Sequence, residues 1–151
     1  MSLYSEYYLS HHGVKGMKWG VRKAEKARSK AIYDLSFHDA MYASKIKTAT
    51  RDRDRYKAKN NQKEVDRIER TMKRYERSRK VLQDTMTKIG NLDVHTVKSK
   101  DITRLGRDTV SKLTNAELAA NRRGEYGAWS GDIRTALREK ERIQASLSNS
   151  K

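Results

Sequence analysis

Apolar side chains recur along this chain at steps of three and four over two long stretches, and the interruption between them marks a turn. From about Lys23, the residues Ala24, Ala27, Ala31, Leu35, His38, Tyr42, Ile46, Ala49, Arg53 and Tyr56 fall on one stripe of a helix. Ile32, Phe37 and Met41 widen the stripe at its middle, so this first helix is expected to meet more than one neighbour there and to need only a narrow seam near Arg53. Asn60-Asn61 breaks the rhythm. Asparagine tolerates the left-handed helical region and its side chain competes for backbone hydrogen bonds, which makes this pair the expected tight turn. The second stretch is the most regular: Val65, Ile68, Met72, Tyr75, Arg79, Leu82, Met86 and Ile89 alternate by three and four in a heptad register broken in character only by Arg79, and Gly90-Asn91 ends it.

A helix of about 29 residues is roughly 43 Å long at 1.5 Å per residue, and the first is at least as long. Residues 23–90 therefore read as a long antiparallel helical hairpin, coiled-coil-like in its seam. A seam rich in Tyr and Met between two helices buries little. The C-terminal third, a second copy of the chain or a foreign subunit is expected to complete the packing, which points to a homo- or hetero-oligomer.

Residues 91–151 read as a region of shorter helices separated by glycine. Asp101 to Gly106 suggests a single helical turn, and Thr114 followed by Glu117 suggests a capping box opening a helix to about Arg123. Gly124 to Gly131 is expected to be a loop carrying Tyr126 and Trp129. Ser130 or Gly131 can cap a last helix to about Leu147, with Ile133, Ala136, Leu137, Ile143 and Leu147 on one face.

Composition sharpens the fold class. The 151 residues are 35% hydrophobic and 36% charged, too polar for a large compact core and natural for elongated helices. There is no proline, which removes the strongest helix breaker, and the class expected is all-α. There is no cysteine, so disulfide staples and thiolate metal sites are excluded. No apolar run approaches the roughly 18 residues of a membrane span. The tyrosine-rich start, with Tyr4, Tyr7 and Tyr8, lacks the basic and apolar regions of a signal peptide, and a protein made and kept inside a cell is expected.

The most distinctive stretch is HHGVKGMKWGVR, His11 to Arg22. Gly13, Gly16 and Gly20, at spacings of three and four, suggest a compact turning arm that a uniform helix would disfavour, so 1–22 is expected to be a unit apart from the hairpin at 23–90 and the short helices at 91–151. Met17 and Trp19 are its apolar payload and Lys15, Lys18 and Arg22 surround them, a pattern suited to docking a small apolar wedge on an acidic or mixed protein surface. The docking set is His12, Gly13, Lys15, Gly16, Met17, Lys18, Trp19, Gly20 and Arg22. The contrary expectation is that Trp19 and Met17 pin the arm onto this protein's own core.

Residues 12–22, with His11 before them, resemble a short signature, HxGxxGMKWGxR, found in proteins of tailed bacteriophages and prophages, some of them head-associated or minor structural proteins. The resemblance implies phage provenance and association with the virion, with a capsid, portal or neighbouring structural subunit as partner. It carries no catalytic residue.

Charge adds a second clue. Of the net charge of +16, the hairpin carries +10, so the molecule reads as a cationic rod. Lys45, Lys47, Arg51, Arg55, Arg70, Arg74 and Arg77 are the candidates for contacts with DNA or RNA phosphates, sequence-blind and salt-sensitive, or with an acidic partner. Interleaved acids in Arg51 to Arg55 weaken the nucleic-acid reading locally, since Asp52 can pair with Arg55 in the same helix.

Catalytic chemistry is not in evidence. His11 and His12 are adjacent, His38 sits on an apolar stripe as a hydrogen-bonded core residue would, and His95 is isolated, so no metal-ligand spacing arises. The glycines fit no phosphate loop, and the carboxylates stand beside cations. No enzyme, metal or cofactor is expected. The readings carried forward are a virion-associated structural protein, a phage-encoded inhibitor or accessory factor acting on a host nucleic-acid-handling complex, and a non-specific nucleic-acid-binding protein.

Overall fold

The computed structural model describes residues 15–127, and they form three helices: α1, Lys15–Ala58; α2, Gln62–Gly90; and α3, Ser99–Arg122. The class is all-α, as the pattern implies. Helices α1 and α2 run antiparallel, with Asp39 against Arg79, Ser36 against Met86 and the rings of Tyr42 and Tyr75 5.8 Å apart. Helix α3 packs mainly on α1 and more lightly on α2.

The turn falls where the asparagines are. Asn60 takes a φ of 54°, and the amides of Asn61 and Asn60 donate to the carbonyls of Tyr56 and Lys57, closing α1 with a paired C-terminal motif. Asn61 then serves as N-cap of α2, its side chain accepting from the Glu64 amide at 3.3 Å. Two adjacent asparagines thus do different jobs: one bends the backbone, the other caps the next helix. The same closing motif recurs after α3, where Gly124 has a φ of 68° and the amides of Gly124 and Glu125 reach Asn121 and Ala120.

The two stripes meet as their spacing requires. Ala24, Ala31, Leu35, Tyr42 and Ala49 of α1 are buried, as are Val65, Ile68, Tyr75, Leu82 and Ile89 of α2. Met72 and Met86 sit at the edge, half-buried. Arg79, the one charged member of the α2 stripe, stays at the rim and gives its guanidinium to Asp39, with the shorter contact at 2.8 Å.

Two expectations are corrected. Helix α1 starts at Lys15, not near Lys23, so the second half of the glycine-rich stretch is helical and continuous with the rest. Each glycine in a helix costs only about 1 kcal/mol relative to alanine, and extending an existing helix needs no new nucleus. The second correction concerns 99–122, which is one helix of 24 residues where two short ones were expected. Its inward stripe is Ile102, Gly106, Val110, Leu113, Glu117 and Ala120, and it is continuous once a glycine and a glutamate are admitted to it. Gly106 is buried against α1: a Cβ there would lie 3.3 Å from the Ala31 Cβ, so the pair lets the two helices approach closely. Thr114 and Glu117 lie inside α3 and do not form a cap. The expected loop at 124–131 is described as far as Gly127; Trp129 and the last helix expected to Leu147 lie outside the described residues, as do residues 1–14.

The burial pattern separates two seam positions that the heptad alone treats alike. Leu82 is fully buried, and Leu82→Asp should cost more than about 4 kcal/mol or abolish folding. Met72 is half-buried at the edge, where an aspartate reaches water, and Met72→Asp should cost less than half as much. Urea denaturation of both variants checks the order; equal losses would mean that the seam is packed differently.

Candidate functional site

The first turns of α1 form an extension of the bundle's longest helix. On it Trp19 is 58% exposed, and the Lys23 ammonium one turn later lies 5.3 Å from the centre of its ring. That i,i+4 contact holds the indole against the helix surface while leaving much of it open to solvent. Gly20 beside it is exposed, with nothing within 4 Å of where a Cβ would stand, so close approach within this chain does not explain it. Arg22 is exposed as well. Of the other expected docking residues, Lys15, Gly16, Met17 and Lys18 lie in the backbone of α1, and His12 and Gly13 lie outside the described residues.

Trp19 stands at one end of a groove of about 550 Å³ between α1 and the start of α3, lined by Arg22, Lys23, Lys26, Ala27, Lys30, Ser99 and Thr103. Four of these residues are cationic and none is acidic. The segment 91–98 closes the neighbouring flank: Arg28 donates to the Leu92 carbonyl at 3.4 Å, and Val94 to Lys98 face Gly20, Val21 and Lys23 across a second, smaller depression. The N-cap of α3 is Lys98, whose side chain makes no capping hydrogen bond, and Asp101 in the first turn sets a carboxylate against the positive end of the helix dipole.

The other predicted cations are dispersed. Lys47, Arg51, Arg55, Arg70 and Arg77 are exposed along α1 and α2 and available to solvent-side partners. Arg55 lies 3.9 Å from Asp52, the pairing that the spacing implied. Lys45 is half-buried. Arg74 is not available: its Nε and Nη2 donate to Glu117 at 3.1 and 3.2 Å and its Nη1 to Glu125 at 3.2 Å. Glu117 is 3% exposed, so this fork joins α2 to α3 inside the protein. Burial alone would lower the Arg74 pKa, but the hydrogen bond and charge of Glu117, with Glu125 behind it, outweigh that and hold it above its ordinary range.

Around Arg74 runs a polar seam that the apolar stripe conceals. Thr71 donates to the Tyr126 carbonyl at 3.0 Å, Arg67 donates to the Gly124 carbonyl at 3.0 Å, and the Tyr126 hydroxyl donates to Asp52. Ser78 hydrogen-bonds with the buried Tyr42. The signal for this seam was present: Arg67 and Arg74 are seven apart, and so are Thr71, Ser78 and Thr85, a second heptad row alongside the apolar one. On α1, His38 is buried as expected, with its Nε2 3.9 Å from Asp34 and its ring edge-on to Phe37. Asp34 is itself buried, so not every carboxylate of this chain is a surface group. Among the described residues no group of three His, Asp or Glu is placed to hold a metal ion, and no helix is long and apolar enough to cross a membrane.

The fold and site together define an all-α bundle with a helical extension that displays an aromatic and a row of cations. The family described as a family of unknown function, DUF7211, matches residues 3–26, ending within the first turns of α1 at Lys26. The matched residues include Trp19 and three of the groove cations, Arg22, Lys23 and Lys26. No curated protein and no solved structure matches the chain.

Two measurements follow from the polar seam. Arg74→Met leaves Glu117 buried without its partner and should cost about 3–5 kcal/mol, whereas Arg74→Met with Glu117→Leu should recover most of that loss. A double variant as unstable as the single one would mean that the pair does not act as a unit. Separately, burial and then the charge of Glu117 push the Tyr42 pKa up, and burial and then the hydrogen bond to Asp52 do the same for Tyr126. Both are raised above the ordinary 10.0, so the folded state keeps its phenolic protons longer than the unfolded chain. The stability they contribute is complete below pH 10 and is lost as pH rises above it. The Tyr42→Phe, Tyr126→Phe double variant should lose less stability than the parent between pH 10 and 12, read by urea denaturation; parallel losses would contradict the assignment.

Proposed function

We propose that this protein is a virion-associated structural protein of a tailed phage, which docks to a capsid, portal or neighbouring subunit through the helical segment that begins at Lys15. One observation carries this reading: Trp19, the largest apolar side chain of the signature, is 58% exposed and does not belong to the protein's own core. An indole left on the surface beside cations is the residue type that most often anchors a protein interface, and truncating such an anchor costs about 2 kcal/mol or more of binding. The family match over residues 3–26 supports treating this segment as a unit with a role of its own, separable from the bundle behind it. The resemblance to the phage signature supports the virion as its setting. Lys47, Arg51, Arg55, Arg70 and Arg77, all exposed, add a capacity for sequence-blind phosphate contacts with packaged DNA.

Trp19→Ala separates docking from self-packing. The melting temperature and helical content should stay within error of the parent, while the protein disappears from purified particles. A variant that melts many degrees lower, with the loss of about 3–5 kcal/mol typical of a buried tryptophan, would place Trp19 in the core and overturn the docking role. Normal incorporation of a stable variant would overturn it equally.

A further inference from the structure

The groove beside Trp19 has a register as well as a charge. Arg22, Lys26 and Lys30 stand four residues apart on one face of α1, a cation every 6 Å or so over about 12 Å. Tyr33, 55% exposed, lies on the same face one turn beyond Lys30, so an aromatic bounds the row at each end. Among the described residues none of the groove cations forms an ion pair, and the one acid of that stretch of α1, Glu25, is exposed and does not line the groove. Between the cations the walls are neutral: the indole, Ala27, the alkyl stems of the lysines and the hydroxyls of Ser99 and Thr103.

The chain does not supply a matching occupant. Residues 1–14 hold one acid, Glu6, and residues 128–151 hold three acids against five cations. A second copy brings a net charge of +16. A ligand complementary to this groove comes from elsewhere, and it carries a regular row of negative charge with an apolar member. A second α-helix has that form. Two helices laid side by side share one pitch, so carboxylates at i, i+4 and i+8 of the partner repeat at the spacing of Arg22, Lys26 and Lys30.

Building on the docking role given above, we propose that this groove seats an acidic amphipathic helix of the partner protein. Its carboxylates pair with Arg22, Lys26 and Lys30, and an apolar side chain on the same face packs on Trp19. The neutral walls favour a protein over a nucleic acid, because an apolar side chain gains from entering them and a phosphate does not. Lys23, held over the indole, orients the ring and does not join the row.

The test uses the full chain and a synthetic helical peptide with Glu at i, i+4 and i+8 and Leu on the same face, titrated at 150 mM salt. Lys26→Glu with Lys30→Glu should weaken the peptide at least tenfold, as should Trp19→Ala. The charge-matched control, Lys63→Glu with Lys73→Glu at exposed positions of α2, should change it less than threefold. Exchanging Glu for Lys in the peptide should restore binding to the Lys26→Glu, Lys30→Glu variant. Equal weakening by both charge reversals would reduce the groove to general electrostatics and overturn the proposal. So would an oligothymidylate of equal charge that binds more tightly than the peptide and depends on the same residues. Purified particles distinguish the two levels: a Lys26→Glu, Lys30→Glu protein incorporated like the parent, with Trp19→Ala excluded, removes the groove and leaves docking intact. Incorporation of both removes docking itself.

Discussion

The structure depends on the unbroken hydrogen-bond ladder of α1, 44 residues from Lys15 to Ala58. At 1.5 Å per residue it is about 65 Å long, and both other helices take their position from it. Helix α2 pairs antiparallel along its C-terminal two-thirds, and α3 lies beside its middle, where the stripe is widest. The turns before Ala24 are left extending past the apolar seam. Trp19, Arg22 and Lys23 are placed by that extension, and Lys26 and Lys30 follow on the same helix where α3 comes alongside. Their mutual geometry is the geometry of one helix, so under the docking proposal a partner would meet a preformed row and order little on binding.

Apolar burial alone would let α3 slide. Its stripe is modest, and what fixes it is the combination of one close contact and one charged fork. Gly106 against Ala31 permits approach at one height, and Arg74 with Glu117 and Glu125 ties the helix and the loop after it at another. A shift of α3 by one turn would bury Glu117 without its partner, at a cost larger than the seam could offset. Buried polar groups here act on register, and the direct gain in stability from such pairs is small.

Much of the fold was legible in the sequence because two of the three helices follow the simplest rule, apolar residues at steps of three and four. Both ends of α2 were visible in asparagines and a glycine, and the two asparagines of the turn take the conformations that make asparagine useful there. Helix α3 was misread because its stripe contains a glycine and a glutamate. Each looks like a break until the residue across from it is known, Ala31 for one and Arg74 for the other. The start of α1 was misread for a related reason: glycine was taken as a turn signal, although nothing in this segment stops an existing helix from extending. Of the candidate site, Trp19 and Arg22 were legible as residue types. The part of Lys26 and Lys30 was not, because the groove exists only where α3 comes alongside α1. Arg74 was a plausible phosphate contact in sequence and is an internal tie in the structure.

The two ends of the described bundle therefore differ in what they expose. The end near Asn60 is closed by paired turns and by Tyr126 on Asp52, while the opposite end offers an aromatic, a row of cations and a groove with neutral walls. The central claim is that Trp19 is displayed on a helical extension and withheld from the core. With Trp129→Phe, Trp19 is the single tryptophan of the chain, and its fluorescence in the free protein reports its surroundings. A displayed indole gives water-like emission and ready quenching by acrylamide. Blue-shifted emission shielded from acrylamide in the isolated protein would contradict it.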